Sequence, residues 1–159
     1  ARAFTDGFRS MAYAALLIGF ARAIFVVLGD GRIVDTIVQG LFAPLAGLPV
    51  ALSALGMMVM HGLLHLPVPS TSGQAVLTMP ILAPLADLLG MSRQVAILAY
   101  QYGAGLTDLV NPTNGALLAM VAAAEVPFER WLRFALPLAG LTALLGAAAV
   151  LVALALGVS

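Results

Sequence analysis

Residues Pro67-Val68-Pro69-Ser70-Thr71-Ser72-Gly73-Gln74 form a polar segment that carries no charge and is rich in helix breakers. Long apolar runs flank it, at residues 40–66 and 75–89. Backbone that is not helical at membrane depth is tolerated only where it is buried in protein or lines a wet cavity. Two helix ends that meet there would present unpaired N–H and C=O groups, which can bind an ion or a small polar solute. We therefore predict a re-entrant helical hairpin with a binding tip.

The composition places the chain in a membrane. Of 159 residues, 62% are hydrophobic and only 9% are charged, with a mean hydropathy of +1.08. Soluble domains carry about 25% charged residues. Long Ala, Leu, Val and Gly runs without strand-like alternation favour helices over a β-barrel, so the predicted fold class is an all-α integral membrane protein. The formal net charge of zero gives no sign of a nucleic-acid partner, and the lack of cysteine excludes disulfides and thiol chemistry.

Residues 1–49 predict a scaffold span followed by a helix that lies along the membrane surface. Met11 to Leu28 is the span, and its one charge is Arg22. This arginine either caps neighbouring carbonyls and snorkels to the interface, or binds an anion directly. Ile33 to Phe42 has a helical apolar period with a polar opposite face and is too short to cross the bilayer.

Residues 50–90 predict the hairpin, with arms at Val50–Leu66 and Ala75–Leu89. His61 and His65 lie four apart and therefore share one helical face. They are either a structural pair bonded to backbone or water, or groups that bind a proton or a metal. No carboxylate stands between them, so the zinc-protease pattern is absent.

Residues 91–125 predict a discontinuous membrane helix. The stretch 95–124 is long enough for one tilted span, yet Asn111-Pro112-Thr113-Asn114-Gly115 interrupts it with residues that favour turns. Two half-helix ends would then face a site at the midplane. Asp108 precedes the break as an intramembrane carboxylate, either a cation ligand or proton carrier, or a charge neutralised structurally by Arg22 or backbone donors.

Residues 126–159 predict an interfacial connector and a last scaffold span, Phe134 to Val158, which has no charge. The arginines predict the orientation. If the hairpin enters and leaves on one side, four of them fall on the other side, which the positive-inside rule makes cytoplasmic. These are Arg2, Arg9, Arg130 and Arg133.

The run 69–87, Pro-Ser-Thr-Ser-Gly-Gln-Ala-Val-Leu-Thr-Met-Pro-Ile-Leu-Ala-Pro-Leu-Ala-Asp, closely resembles the C-terminal half of the C4-dicarboxylate anaerobic carrier family, and in particular its branch of basic amino acid antiporters. The likeness continues through residues 19–22, 92–94, 101–103, 111–115 and 126–131, and so covers nearly the whole chain. The resemblance implies a bacterial inner-membrane carrier of the ion transporter superfamily that needs no cofactor. It also implies two inverted repeats, elevator-type movement and a homodimer.

This sequence departs from the family in two ways. It carries one repeat where the family has two, and it begins without methionine, so we expect an N-terminal repeat to be its missing partner. Sodium-coupled relatives have Ser-Asn-Thr at the hairpin tip, whereas this tip has Ser70-Thr71-Ser72. The hydroxyls are retained and the amide is not, which leaves sodium and proton coupling as alternatives.

The expected function is ion-coupled secondary active transport of a small dicarboxylate or amino acid, and not an enzymatic reaction. The hairpin tip and the helix break would form the binding site, with residues Ser70, Thr71, Ser72, Gly73, Asp108, Asn111, Pro112, Thr113, Asn114 and Gly115. Four further residues would contact the binding residues and not the solute itself: Arg22, His65, Gln74 and Gln101. A sodium ion would take Ser72, Asp108, Asn111 and Thr113, whose oxygens suit a hard cation, and half-helix N-termini would attract a substrate carboxylate.

The competing class is a non-transporting membrane subunit or a channel-like homo-oligomer. A channel needs a polar pathway along a span, whereas the polar residues here gather at two interruptions. An intramembrane hydrolase built on Ser70, His61 and Asp108 is disfavoured, because no serine sits in a recognisable nucleophile turn.

Overall fold

The computed structural model describes residues 42–158 continuously and, before them, only positions 16, 23, 26, 27, 30–33, 36 and 40. Within 42–158 the fold is all-helical, as the composition predicts. A short 3₁₀ helix, Ala43–Gly47, leads into five α-helices of this part of the chain. These are α1 (Val50–His65), α2 (Thr71–Leu88), α3 (Arg93–Thr107), α4 (Gly115–Ala123) and α5 (Phe128–Ala155).

Among the described residues, α5 alone is long and apolar enough to cross a membrane. It has 28 residues, its most apolar window has a mean hydropathy of 2.3, and only 17% of that window is buried within the protein. Large apolar side chains such as Leu141, Leu144 and Leu145 are exposed along it. At 1.5 Å per residue the helix is about 42 Å long, which exceeds a hydrocarbon core of roughly 30 Å. Helix α1 is also apolar, but has only 16 residues.

The last helix begins earlier than the sequence indicates. We expected an irregular connector before Phe134, but α5 starts at Phe128 and includes Glu129 and Trp131. A proline precedes the first helical residue, and a carboxylate in the first turn interacts favourably with the positive end of the helix dipole. The connector is therefore reduced to the short turn around Val126 and Pro127.

The second hairpin helix also begins earlier than predicted. We expected the segment from Pro67 to Gln74 to stay outside both arms, but α2 starts at Thr71. Ser70 is the reason, because its extended backbone and its hydroxyl, which accepts a hydrogen bond from the Gly73 N–H at 3.2 Å, make it an N-cap. The non-helical link between α1 and α2 therefore spans only Leu66 to Ser70.

The structure has non-helical backbone where the sequence predicts a break in the third helical segment. Helix α3 ends at Thr107 and α4 begins at Gly115, so that Asp108 to Asn114 lie between them. Asn114 caps α4, because its side-chain oxygen accepts hydrogen bonds from the N–H groups of Ala116 and Leu117. Asp108 therefore lies at the end of α3 itself and not one turn inside it.

Helix α3 is the central element, because α1, α2 and α5 all pack against it. Its closest approach to α1 depends on Gly103, which has no space for a side chain: a Cβ there would lie 2.2 Å from the Met58 carbonyl oxygen and 2.8 Å from the His61 Cβ. On α1, a Cβ at Gly62 would lie 3.0 Å from the Thr107 hydroxyl. Small residues at a crossing let membrane helices approach closely, which brings the end of α1 beside the end of α3.

An ion pair marks the exposed turn between α2 and α3. The Arg93 guanidinium donates to both carboxylate oxygens of Asp87, at 2.7 and 3.0 Å. This hydrogen bonding lowers the pKa of the Asp87 carboxyl. Both side chains are exposed, so the turn lies at the protein surface.

Several predictions for the first region fall outside the described residues. They are the span Met11–Leu28, the place of Arg22, and most of the surface helix Ile33–Phe42. Phe42 itself is described and is buried in the core against α1 and α2 side chains.

The crossing of α1 and α3 gives a paired prediction. Gly103→Ala should destabilise the protein by about 1–3 kcal/mol, because the new methyl group overlaps backbone that cannot move aside easily. Gly105→Ala is the matched control in the same helix: its Cβ would meet nothing within 4 Å. Alanine is the better helix former by up to about 1 kcal/mol. Melting temperatures of the two variants in detergent test this, and equal values would contradict the crossing.

Candidate functional site

Five polar side chains from both hairpin helices and the helix break form one hydrogen-bonded chain, which we call the His–Asp network. Its members in order are His61, Gln74, His65, Asp108 and Asn114. The consecutive contacts measure 2.9, 2.7, 2.7 and 2.7 Å between nitrogen or oxygen atoms. The network therefore ties α1, α2 and the break to one another.

Gln74 links the two histidines of α1 across the hairpin. Its Nε2 lies 2.9 Å from both the Nδ1 and the carbonyl oxygen of His61, and its Oε1 lies 2.7 Å from the Nδ1 of His65. All three side chains are fully buried. The spacing of the histidines, one turn apart on one face, is what allows a single amide to reach both.

Asp108 is the carboxylate of the network. Its Oδ1 lies 2.7 Å from the Nε2 of His65 and accepts a hydrogen bond from the Nδ2 of Asn114, also at 2.7 Å. The Asp108 side chain is 36% exposed, whereas that of His65 is fully buried. One face of the network can thus be reached by solvent or solute, and the opposite end cannot.

Asn111 and Thr113 donate hydrogen bonds to backbone carbonyls at the end of α1. The Asn111 amide donates to the His65 carbonyl at 2.9 Å, and the Thr113 hydroxyl donates to the Leu66 carbonyl at 2.6 Å. The Asn111 side-chain oxygen accepts from the Thr113 N–H at 3.0 Å. Carbonyls at the end of a helix lack partners within the helix, so the break supplies them from another part of the chain.

The hairpin tip is held by a contact that the sequence did not suggest. The Tyr100 hydroxyl of α3 donates to the backbone carbonyl of Thr71, at the start of α2. Its ring also meets His61 edge-on, with the ring centroids 5.0 Å apart. Nothing in the local sequence around Tyr100 distinguishes it from other apolar-face residues of α3, so only the packing of the helices identifies it.

His61 lies at the buried end of the network. Its Nε2 is buried without a hydrogen-bond partner among the described residues. The rings of Phe42 and Tyr100 lie on either side, at centroid distances of 4.9 and 5.0 Å. Of the two interpretations of the histidine pair, the structural one fits His61, because its Nδ1 is hydrogen-bonded to Gln74. The other neighbours of the His61 ring are aromatic.

Some of the predicted binding residues are joined to one another by hydrogen bonds, and the others are not. The structure joins His65, Gln74, Asp108, Asn111, Thr113 and Asn114 by hydrogen bonds. Ser70 caps α2, Thr71 contributes only its carbonyl, Gly73 donates its N–H to Ser70, and Gly115 begins α4. The side chains of Ser72, Gln101 and Pro112 are exposed, and Arg22 lies outside the described residues.

No contact among the described residues brings the four predicted cation ligands together around one point. No hydrogen bond in the described part of the chain links Ser72 with Asp108, Asn111 or Thr113. The oxygen of Asp108 that faces the network already serves His65 and Asn114. Residues 42–158 also contain no group of three or more His, Cys, Asp or Glu side chains that could hold a metal ion.

Sequence reasoning also missed the part that Trp131 plays. Its indole N–H donates to the carbonyl of Leu109 at 2.9 Å, within the helix break. The residue thereby connects the start of α5 to the helix break. A tryptophan N–H that is partly buried needs an acceptor, and the break offers a free carbonyl.

The family model described as "DcuC: C4-dicarboxylate anaerobic carrier" matches residues 1–155. A relative in Escherichia coli (strain K12), named "Putative basic amino acid antiporter YfcC", is 38% identical over 162 residues, which cover 99% of this chain and 32% of the relative. An uncharacterized protein of Haemophilus influenzae is 39% identical over 143 residues, covering 90% of this chain and 28% of its own.

The chain spans about a third of the length of these curated relatives. No solved structure matches it. The family match covers nearly every residue, including the hairpin and the helix break that form the network. The chain belongs to the C4-dicarboxylate anaerobic carrier family.

Proposed function

We propose that this chain is the C-terminal half of an ion-coupled secondary active transporter. It would move a small carboxylate-bearing solute, either a dicarboxylate or an amino acid, across the bacterial inner membrane. The family name and the name of the Escherichia coli relative support transport and differ on the solute. The observation that carries the proposal is Asp108, a partly exposed carboxylate at a helix break that His65 holds against the hairpin.

The geometry supports a binding site at the break for three reasons. Asp108 supplies a charge that can interact with a cation or an amine, and its exposed face is free to do so. The positive dipole ends of α2 and α4 lie at Thr71 and Gly115, and such helix ends attract a carboxylate. Discontinuous helices near the midplane are the usual binding elements of secondary transporters.

The proposed movement treats the hairpin and the helix break as one block. Three contacts between them support this: His65 with Asp108, the Asn111 amide with the His65 carbonyl, and the Thr113 hydroxyl with the Leu66 carbonyl. The apolar and exposed α5 suits a scaffold in contact with lipid. We propose an elevator movement of the block past this scaffold, in a homodimer that includes an N-terminal repeat.

The competing function is a non-transporting subunit or a channel-like homo-oligomer. A channel would pass its solute down a gradient without coupling to an ion. The two functions therefore differ in one measurable property, which is accumulation against a gradient.

We expect the full-length carrier in proteoliposomes to accumulate succinate or arginine when a sodium or proton gradient is imposed. Each solute is tested under each gradient, with dissipated gradients as the control. Accumulation that disappears when the gradient is dissipated supports a secondary active transporter. Equilibration without accumulation would favour the channel, and no flux would contradict transport of both solutes.

The hairpin tip gives a second prediction. Ser72→Ala should lower gradient-driven uptake by about tenfold, because a hydrogen bond to a charged solute or ion contributes about 1.5 kcal/mol or more. Thr142→Ala is the matched control, since its hydroxyl lies on α5 and donates to the Leu138 carbonyl of its own helix. Equal initial rates in the two variants would remove Ser72 from the site.

A further inference from the structure

The positions of the hydrogens in the His–Asp network follow from backbone groups that have one fixed role. A carbonyl oxygen can only accept a hydrogen bond, and an N–H group can only donate one. The carbonyl oxygen of His61 is an acceptor, so the Gln74 atom 2.9 Å away must be its NH₂ group. The same NH₂ then donates to the Nδ1 of His61, which carries no hydrogen. The Gln74 oxygen faces the Nδ1 of His65 at 2.7 Å, and that nitrogen must therefore carry one.

The orientation of Asn114 is fixed in the same way. Its side-chain oxygen accepts from the backbone N–H groups of Ala116 and Leu117, at 3.0 and 3.2 Å, as the N-cap of α4. Its NH₂ group consequently faces Asp108 and donates to Oδ1. The carboxylate thus receives one fixed donor from the break.

A single proton then fits between His65 and Asp108. Their Nε2 and Oδ1 atoms lie 2.7 Å apart. With no proton between them, two lone pairs would face each other at this distance, because the Nδ1 already holds the hydrogen of a neutral ring. With two protons, two hydrogens would face each other. One proton satisfies both atoms, whether it resides on the imidazole or on the carboxyl group, and the pair is then neutral overall.

We propose that His65 and Asp108 bind one proton between them, in a place set by Gln74 and Asn114, and that this proton is the coupling ion of the carrier. This inference rests on the proposed transport function. It assigns the coupling to a proton and to two named residues, one on the hairpin and one on the helix break. The proton arrives from water on one side of the membrane and leaves to water on the other, and no bond other than those to this proton forms or breaks.

The location of the pair ties proton binding to the packing of the two elements. His65 ends α1 and Asp108 ends α3, so the proton lies in the contact between the hairpin and the break. Removing it leaves two lone pairs in a partly buried contact, which favours separation of the two side chains. Asp108 is 36% exposed and gives the proton a route to water, whereas His65 is closed off.

Few other titratable or charged groups of the described chain face this pair. His61 lies on α1 beyond Gln74, and Tyr100 lies on α3 with its hydroxyl on the Thr71 carbonyl. Helix α4 has no ionisable side chain, and the one on α2, Asp87, pairs with Arg93 at the exposed turn. The first turns of α5 carry Glu129, Arg130 and Arg133, all exposed.

The proton positions can be tested without any transport. Nitrogen-15 NMR of histidine-labelled, full-length carrier in lipid bilayers reports which ring nitrogen carries a hydrogen, with His61→Gln and His65→Gln used to assign the signals. We expect hydrogen on the Nδ1 of His65 and none on the Nδ1 of His61. Asp108→Asn should shift the Nε2 signal of His65 and leave the Nδ1 signal of His61 in place, since Gln74 still donates to that nitrogen. An unprotonated Nδ1 of His65 would overturn the assignment.

Transport provides the second test. Proteoliposomes with a pH-sensitive dye inside receive succinate or arginine, and proton movement is recorded with solute movement. A gradient of about 2 pH units can support a solute ratio of about 100-fold per coupled proton. We expect the wild-type carrier and the exposed-carboxylate control Glu129→Gln to couple both movements. Asp108→Asn and His65→Gln should abolish the proton movement.

The outcomes separate this inference from the proposed function. Accumulation driven by sodium alone, with no response to a pH gradient, would overturn the proton as coupling ion and leave the transporter intact. Proton coupling that survives in both Asp108→Asn and His65→Gln would overturn the residue assignment. No flux of either solute under any gradient would overturn the transport function itself, and with it the coupling.

Discussion

The backbone groups at the ends of α1 and α3 need hydrogen-bond partners from outside their own helices. In this chain the break supplies partners to the end of α1, and α5 supplies one to the break. Asn111 and Thr113 from the break donate to the last carbonyls of α1, and Trp131 donates to a carbonyl inside the break. The hairpin and the broken helix are therefore one structural unit, because neither is fully hydrogen-bonded alone.

The close crossing of α1 and α3 makes this exchange possible. Gly103 lets the Met58 backbone approach where any side chain would collide, and the two helices then end side by side. With the ends adjacent, His65 reaches Asp108 at 2.7 Å. A packing constraint two turns away thus sets the distance between the two ionisable groups on which the proposed coupling depends.

The network also explains why these polar side chains are compatible with a very apolar chain. A buried polar group costs free energy unless it is hydrogen-bonded. Gln74, His65 and Asn111 are fully buried, and each has its partners within the chain. Among the buried side-chain atoms of the described residues, only the Nε2 of His61 lacks one, and the rings of Phe42 and Tyr100 lie beside the His61 ring. Asp108, whose side chain is 36% exposed, is the member that the proposal places in contact with proton and solute.

The sequence by itself determined the fold class, the helix break and most of the polar residues that matter, because these depend on composition, helix breakers and periodicity along the chain. It placed the start of α2 and of α5 too late, since the effects of Ser70 and Pro127 on helix starts were not weighed. Tertiary structure alone decided the partners: Asp108 with His65, and Tyr100 with the hairpin tip. Residues 43 positions apart meet only through the crossing of α1 and α3, and no local pattern encodes that distance.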